Sequence, residues 1–60
     1  MDIKFICKDG YLVLQRHLDC IPDVGDSIVV WNDFYIVDDR KFVFRAREED
    51  DEVMIYLRKK

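Results

Sequence analysis

The sequence predicts a small all-β domain, with five short strands in a strongly bent antiparallel sheet that closes toward a barrel. Three features carry this. Asp9-Gly10 stands between two strand-suited runs, apolar residues alternate along Val53 to Arg58, and the alternation slips by one residue between Val37 and Phe42. Successive strand side chains point to opposite faces, so period two marks a half-buried strand and a one-residue slip marks a bulge.

The first element is a hairpin, Ile6-Cys7-Lys8-Asp9-Gly10-Tyr11-Leu12-Val13. A two-residue turn with positive φ at both central positions suits Asp-Gly. It sets Cys7 opposite Leu12, Phe5 opposite Leu14 and Ile3 opposite Arg16 on a mostly apolar face, with Ile6 opposite Val13 and Lys4 opposite Gln15 on the other. The rival reading makes Tyr11 to Leu18 a short helix with Tyr11, Leu14 and Leu18 on one stripe. Asp19 to Asp26 is a connection, in which Pro22 lacks a backbone donor and Gly25 permits the left-handed conformation. Ile21 and Val24 are expected to plug an open end of the core. Ser27 to Trp31 and Phe34 to Val37 then flank Asn32-Asp33, a second hairpin that pairs Val30 with Tyr35 and Ile28 with Val37. Its other face, with Val29, Ile36, Trp31 and Phe34, is also apolar.

Beyond Val37 the phase changes, since Tyr35 and Val37 are odd-numbered and Phe42 and Phe44 even. A long bent strand from Tyr35 to Ala46 with a bulge explains this, and a separate turn at Asp38 to Lys41 is the alternative. Glu48-Glu49-Asp50-Asp51-Glu52 makes the next turn. The final strand points Val53, Ile55 and Leu57 inward, Met54 and Tyr56 outward.

Ile21-Pro22-Asp23-Val24-Gly25-Asp26-Ser27-Ile28-Val29-Val30, followed by Tyr35-Ile36-Val37, resembles the Pro-x-x-Gly-Asp turn and strand of many SH3-like barrels. It is similar, too, to short uncharacterised proteins of bacteria and their mobile elements that carry this pattern. The resemblance covers about half the chain and implies an SH3-like barrel, a fold that hosts many unrelated functions. It does not carry over the proline-ligand groove of true SH3 domains, whose aromatic residues have no match here.

Sixty residues make one domain, residues 1–60, because a chain this short buries only about 60% of the surface that its unfolded form exposes. No apolar run approaches the roughly 18 residues of a membrane span, and the opening Met1-Asp2-Ile3-Lys4 lacks the layout of a secretory signal. The expected location is the cytoplasm, with no membrane partner. Cys7 and Cys20 are too few for a disulfide framework and are expected as free thiols.

Catalysis is not expected. The glycines, Gly10 and Gly25, form no phosphate loop, and there is no Gly-x-Ser-x-Gly elbow. His17 and Cys20 form at most an incomplete nucleophile and base pair, and with Cys7 they total three where a structural zinc takes four. No cofactor or metal is expected.

The apolar surplus is more informative. Ile6, Val13, Val29, Trp31, Phe34, Met54 and Tyr56 lie opposite the expected core set, and large aromatic and Met side chains are enriched where proteins meet partners. The expected function is therefore a non-catalytic interaction module acting through Trp31, Phe34, Met54 and Tyr56, with a protein partner or a second copy. The alternative is single-stranded nucleic-acid binding through Arg40, Lys41, Arg45, Arg47, Arg58, Lys59 and Lys60, with Phe42 or Tyr56 stacking on a base. A net charge of -3 weighs against that alternative, because such binding draws on many contacts between basic side chains and phosphates.

Overall fold

A computed structural model describes all 60 residues. The strands are β1 (Asp2–Cys7), β2 (Leu12–His17), β3 (Ser27–Val30), β4 (Asp33–Val43) and β5 (Glu52–Lys59), and a single 3-10 turn at Glu48–Asp50 is the sole helical element. The segment with a rival helical reading is strand β2. All five strands join one sheet in the order β2-β1-β5-β4-β3, curled into a half-barrel consistent with a small SH3-like barrel. Its radius of gyration, 11.4 Å, exceeds the about 10 Å of a fully compact chain of this length. The curl is open at the sides.

One pair departs from the expected antiparallel order, since β1 and β5 run parallel, with Ile3 beside Val53, Phe5 beside Ile55 and Cys7 beside Leu57. No turn joins these strands, so no hairpin fixes their direction. The other neighbours are antiparallel.

The long bent strand is present, ending at Val43 rather than Ala46. Val37 pairs with Leu57 and Asp39 with Tyr56, leaving Asp38 as the extra residue. The bulge turns the later even-numbered residues inward, so Arg40 faces Ile55 and Phe42 faces Val53. Bending β4 there lets the sheet wrap around its own side chains.

The first hairpin has the predicted register near its base, with Ile3 opposite Arg16 and Phe5 opposite Leu14, but Ile6 pairs with Leu12 and Val13 becomes a bulge. Val13 therefore packs against the core, while Leu12 is 48% exposed. The turn explains the slip. The Gly10 N–H donates to the Cys7 carbonyl and the Cys7 N–H to the Tyr11 carbonyl, both at 2.8 Å, so the loop is Lys8-Asp9-Gly10. Within it only Gly10 takes positive φ, 92°. Asp9 keeps negative φ and accepts from the Tyr11 N–H at 3.0 Å, the local bond an aspartate offers a turn.

The second hairpin turns one residue earlier than predicted, which moves each partner by two positions, for Val30 pairs with Asp33 and Ile28 with Tyr35. The turn is Trp31-Asn32. Because the shift is two residues, each side chain keeps its predicted face.

Eight residues form the core: Ile3, Phe5, Val30, Tyr35, Val37, Val53, Ile55 and Leu57. All of them project from the concave side. Leu14, Leu18, Ile21, Ile28 and Cys7 pack around this centre, half-buried. Ile21 thus caps the core as expected, while Val24 is 58% exposed and does not. The connection is held by Arg40, whose Nη1 lies 3.1 Å from Asp23 Oδ1 and 3.4 Å from the Pro22 carbonyl.

Candidate interaction surface

The four predicted contact residues separate into two groups. Met54 and Tyr56 lie mid-sheet on the convex face, both half-buried, with the Tyr56 hydroxyl donating to Met54 Sδ at 3.6 Å. Phe34 shares that face but pairs with Val29 on β3, and its carbonyl accepts from the Lys60 N–H at 3.0 Å. It therefore stands level with residue 60, about 13 Å along β5 from Tyr56. Arg58 lies between them, bonded to Asp38 at 3.3 Å, so the convex face has no unbroken apolar stripe.

The apolar surface concentrates at the β3–β4 hairpin. Trp31 is 92% exposed, Phe34 60% and Val29 57%. Trp31 also holds φ at 57°, and it is the single non-glycine residue of the chain with positive φ. The left-handed region is unfavourable for an L-residue by roughly 1–2 kcal/mol, and a bulky side chain there is an outlier. Asn or Gly would suit the position. At 92% exposure the Trp31 side chain packs against little of this fold.

The basic residues of the alternative reading are mostly neutralised. Arg40 pairs with Asp23, Arg45 with Glu52 at 3.0 Å, Arg47 with Glu49 at 2.7 Å, Arg58 with Asp38 and Lys59 with Asp33 at 3.7 Å. Lys41 and Lys60 take part in no ion pair. Phe42 stacks on Phe44 with centroids 6.4 Å apart, and the Arg40 guanidinium lies 5.6 Å from the Phe42 ring centre. This aromatic pair is on the concave rim, away from Tyr56.

Hydrogen bonding and burial shift three groups. Lys4 first, then Arg45, hold the Glu52 carboxyl below its usual range. A backbone N–H and Arg47 lower Glu49. Burial pushes the Tyr35 phenol up, with Asp33 and Cys7 adding to the effect.

His17 and the cysteines do not assemble. His17 Nδ1 lies 3.2 Å from Asp2 Oδ1, and Nε2 lies 3.1 Å from the N-terminal amine. Cys7 stands at the far end of β1, half-buried, and Cys20 is exposed. No three His, Cys, Asp or Glu side chains converge as a metal site would require. A cleft of about 380 Å³ is lined by Met1, Asp2, His17, Glu48, Glu49 and Asp51, and a second of about 340 Å³ by Cys7, Lys8, Asp9, Leu57, Arg58 and Lys59. No helix is long and apolar enough to cross a membrane.

Sequence reasoning placed Val29 in the apolar surplus but did not single it out for contact, and it missed the exposure of β3 as an edge. The uncharged run Ser27-Ile28-Val29-Val30 is legible, but its place in the sheet is not. Comparison with known protein families, with curated proteins and with solved structures finds no match for this chain.

Proposed function

We propose that the chain is a non-catalytic protein-interaction module of the cytoplasm whose contact surface is the β3–β4 hairpin. The observation that carries this reading is Trp31, an almost fully exposed aromatic residue held at positive φ. Backbone strain that packing does not explain is characteristic of sites selected for contact. Trp is also the residue type most enriched among those that dominate binding energy. Phe34 and Val29 extend the apolar area beside it. Met54 and Tyr56, engaged with each other, half-buried and separated from Phe34 by Arg58, lie outside this contact surface.

The nucleic-acid reading has weaker support, because phosphates would have to displace carboxylates from five of its seven basic side chains. The counterion release that drives such binding is reduced accordingly.

A photoreactive phenylalanine placed at position 31 or 34, in the cell that makes this protein, tests the proposal. Ultraviolet irradiation is expected to give discrete protein adducts from both positions and none from Gln15, which is exposed on β2. Equal adducts from position 15, or none from 31 and 34, overturn it.

A further inference from the structure

The sheet has two free edges, and only one is guarded. Edges that face solvent are templates for further pairing, and proteins blunt them with charges, bulges or proline. β2 carries Gln15, Arg16 and His17 and the Val13 bulge. β3 is Ser27-Ile28-Val29-Val30, with no charge, proline or bulge.

The hydrogen-bond alternation shows which groups are free. The Val37 N–H donates to the Asp26 carbonyl at 2.9 Å, in line with the register that pairs Ile28 with Tyr35 and Val30 with Asp33. Asp26, Ile28 and Val30 are thus the positions bonded to β4, and Ser27 and Val29 turn their N–H and C=O groups to the open edge. Neither residue takes part in any turn or loop bond.

We infer that β3 pairs antiparallel with β3 of a second copy, with Ile28 on the two-fold axis. The inference rests on the interaction reading of the same hairpin. Ser27 of each copy lies opposite Val29 of the other, and each such pair exchanges both its N–H···O=C bonds, joining the two sheets into one. The edge is self-complementary, as a two-fold contact requires. Its one flanking charge, Asp26, falls opposite Val30 of the second copy. The two Asp26 carboxylates then sit at opposite ends of the paired segment, about 13 Å apart and beyond the Debye length of about 8 Å at physiological salt.

The symmetry also brings Val29, Phe34 and Trp31 of both copies to one face of the joined sheet. At their exposures they offer about 400 Å² of apolar surface per chain. They lie side by side on that face, with β3 between Phe34 and the second copy, so pairing covers the β3 edges and leaves most of this surface in solvent; the contact is smaller than the ~1,200–2,000 Å² of a stable interface, and association is expected to be weak.

Sedimentation equilibrium from about 1 µM to about 1 mM, a range that brackets weak association, is combined with amide hydrogen exchange. The variants are Val29→Pro, which removes an outward N–H at an edge where proline is tolerated, and Val29→Lys, which keeps the backbone intact. The wild type is expected to dimerise, with the Ser27 and Val29 amides slowing in proportion to the dimer fraction. Either folded variant is expected to raise the dissociation constant at least about tenfold, the effect of losing one well-placed contact. A monomer at every concentration overturns the inference, while the crosslinking experiment still decides the interaction reading. A dimer that leaves the Ser27 and Val29 amides unprotected overturns edge pairing and keeps the hairpin as a contact surface.

Discussion

Replacing Ile55 by alanine tests the fold at its centre. Ile55 has no solvent exposure, and its strand is bonded on both sides, to Phe5 of β1 and Arg40 of β4. The change removes three carbon groups worth about 0.8 kcal/mol each on transfer from water. The doubly paired backbone cannot move in to fill the space, so a residual cavity adds to the loss and the total is about 3–4 kcal/mol. A domain of this length has roughly 3–9 kcal/mol of stability in all. The variant should therefore melt roughly 15–30 °C below the wild type, taking about 4–8 °C per kcal/mol for a small domain. Thermal unfolding followed by far-ultraviolet circular dichroism reads this directly. Leu14→Ala is the comparison, because the sequence places Leu14 equally in the core, whereas the structure leaves it half-buried on the edge strand β2. Its loss should be only about 1–2 kcal/mol. An Ile55→Ala protein that melts with the wild type, or a larger effect at Leu14, would refute the assignment of the concave face.

Two further substitutions probe the surface. Trp31→Gly relieves the left-handed backbone, a gain of roughly 1–2 kcal/mol offset by the about 0.5–1 kcal/mol entropic penalty of glycine, so the melting temperature should hold or rise. Crosslinking or self-association through the hairpin should fall in the same variant, and a clear drop in melting temperature would show that Trp31 supports the fold. Glu52→Gln removes the carboxylate shared by Lys4 at 3.3 Å and Arg45 at 3.0 Å. The folded-state pKa of Glu52 lies below the ordinary 4.5, so its stabilisation is fully present above that value and is lost as pH falls through the folded pKa. The melting-temperature gap between wild type and Glu52→Gln should be widest near neutral pH and close in acid, and a gap independent of pH contradicts the pairing.

Much of the strand content is legible residue by residue. Val53, Ile55 and Leu57 alternate with Met54 and Tyr56, and the first three are the fully buried members of β5. The phase slip brackets the bulge between Val37 and Phe42, and the structure places it at Asp38. The registers near the turns were less accessible, because they depend on which residue takes positive φ. Asp-Gly suits a two-residue turn by composition, yet the aspartate bonds to the Tyr11 N–H and leaves the left-handed conformation to Gly10 alone. At the other hairpin the positive φ falls on Trp31, which residue preference would not select. The candidate site was half legible for the same reason. Trp31 and Phe34 stand out as surplus apolar residues, while the ion pairs that occupy Arg40, Arg45, Arg47, Arg58 and Lys59 join residues up to 26 apart in sequence.

The sequence by itself determined that the chain is made of strands, which face of β5 is buried and within which few residues the longest strand bends. These follow from side-chain alternation, a property of neighbouring residues along one backbone. Only the tertiary structure decided that β1 and β5 lie side by side in parallel, that β2 and β3 are the edges, and that β3 is the one left without charge. Strand neighbours are chosen by how the whole sheet closes over its core, and no local pattern encodes which backbone groups remain unpaired once it has closed.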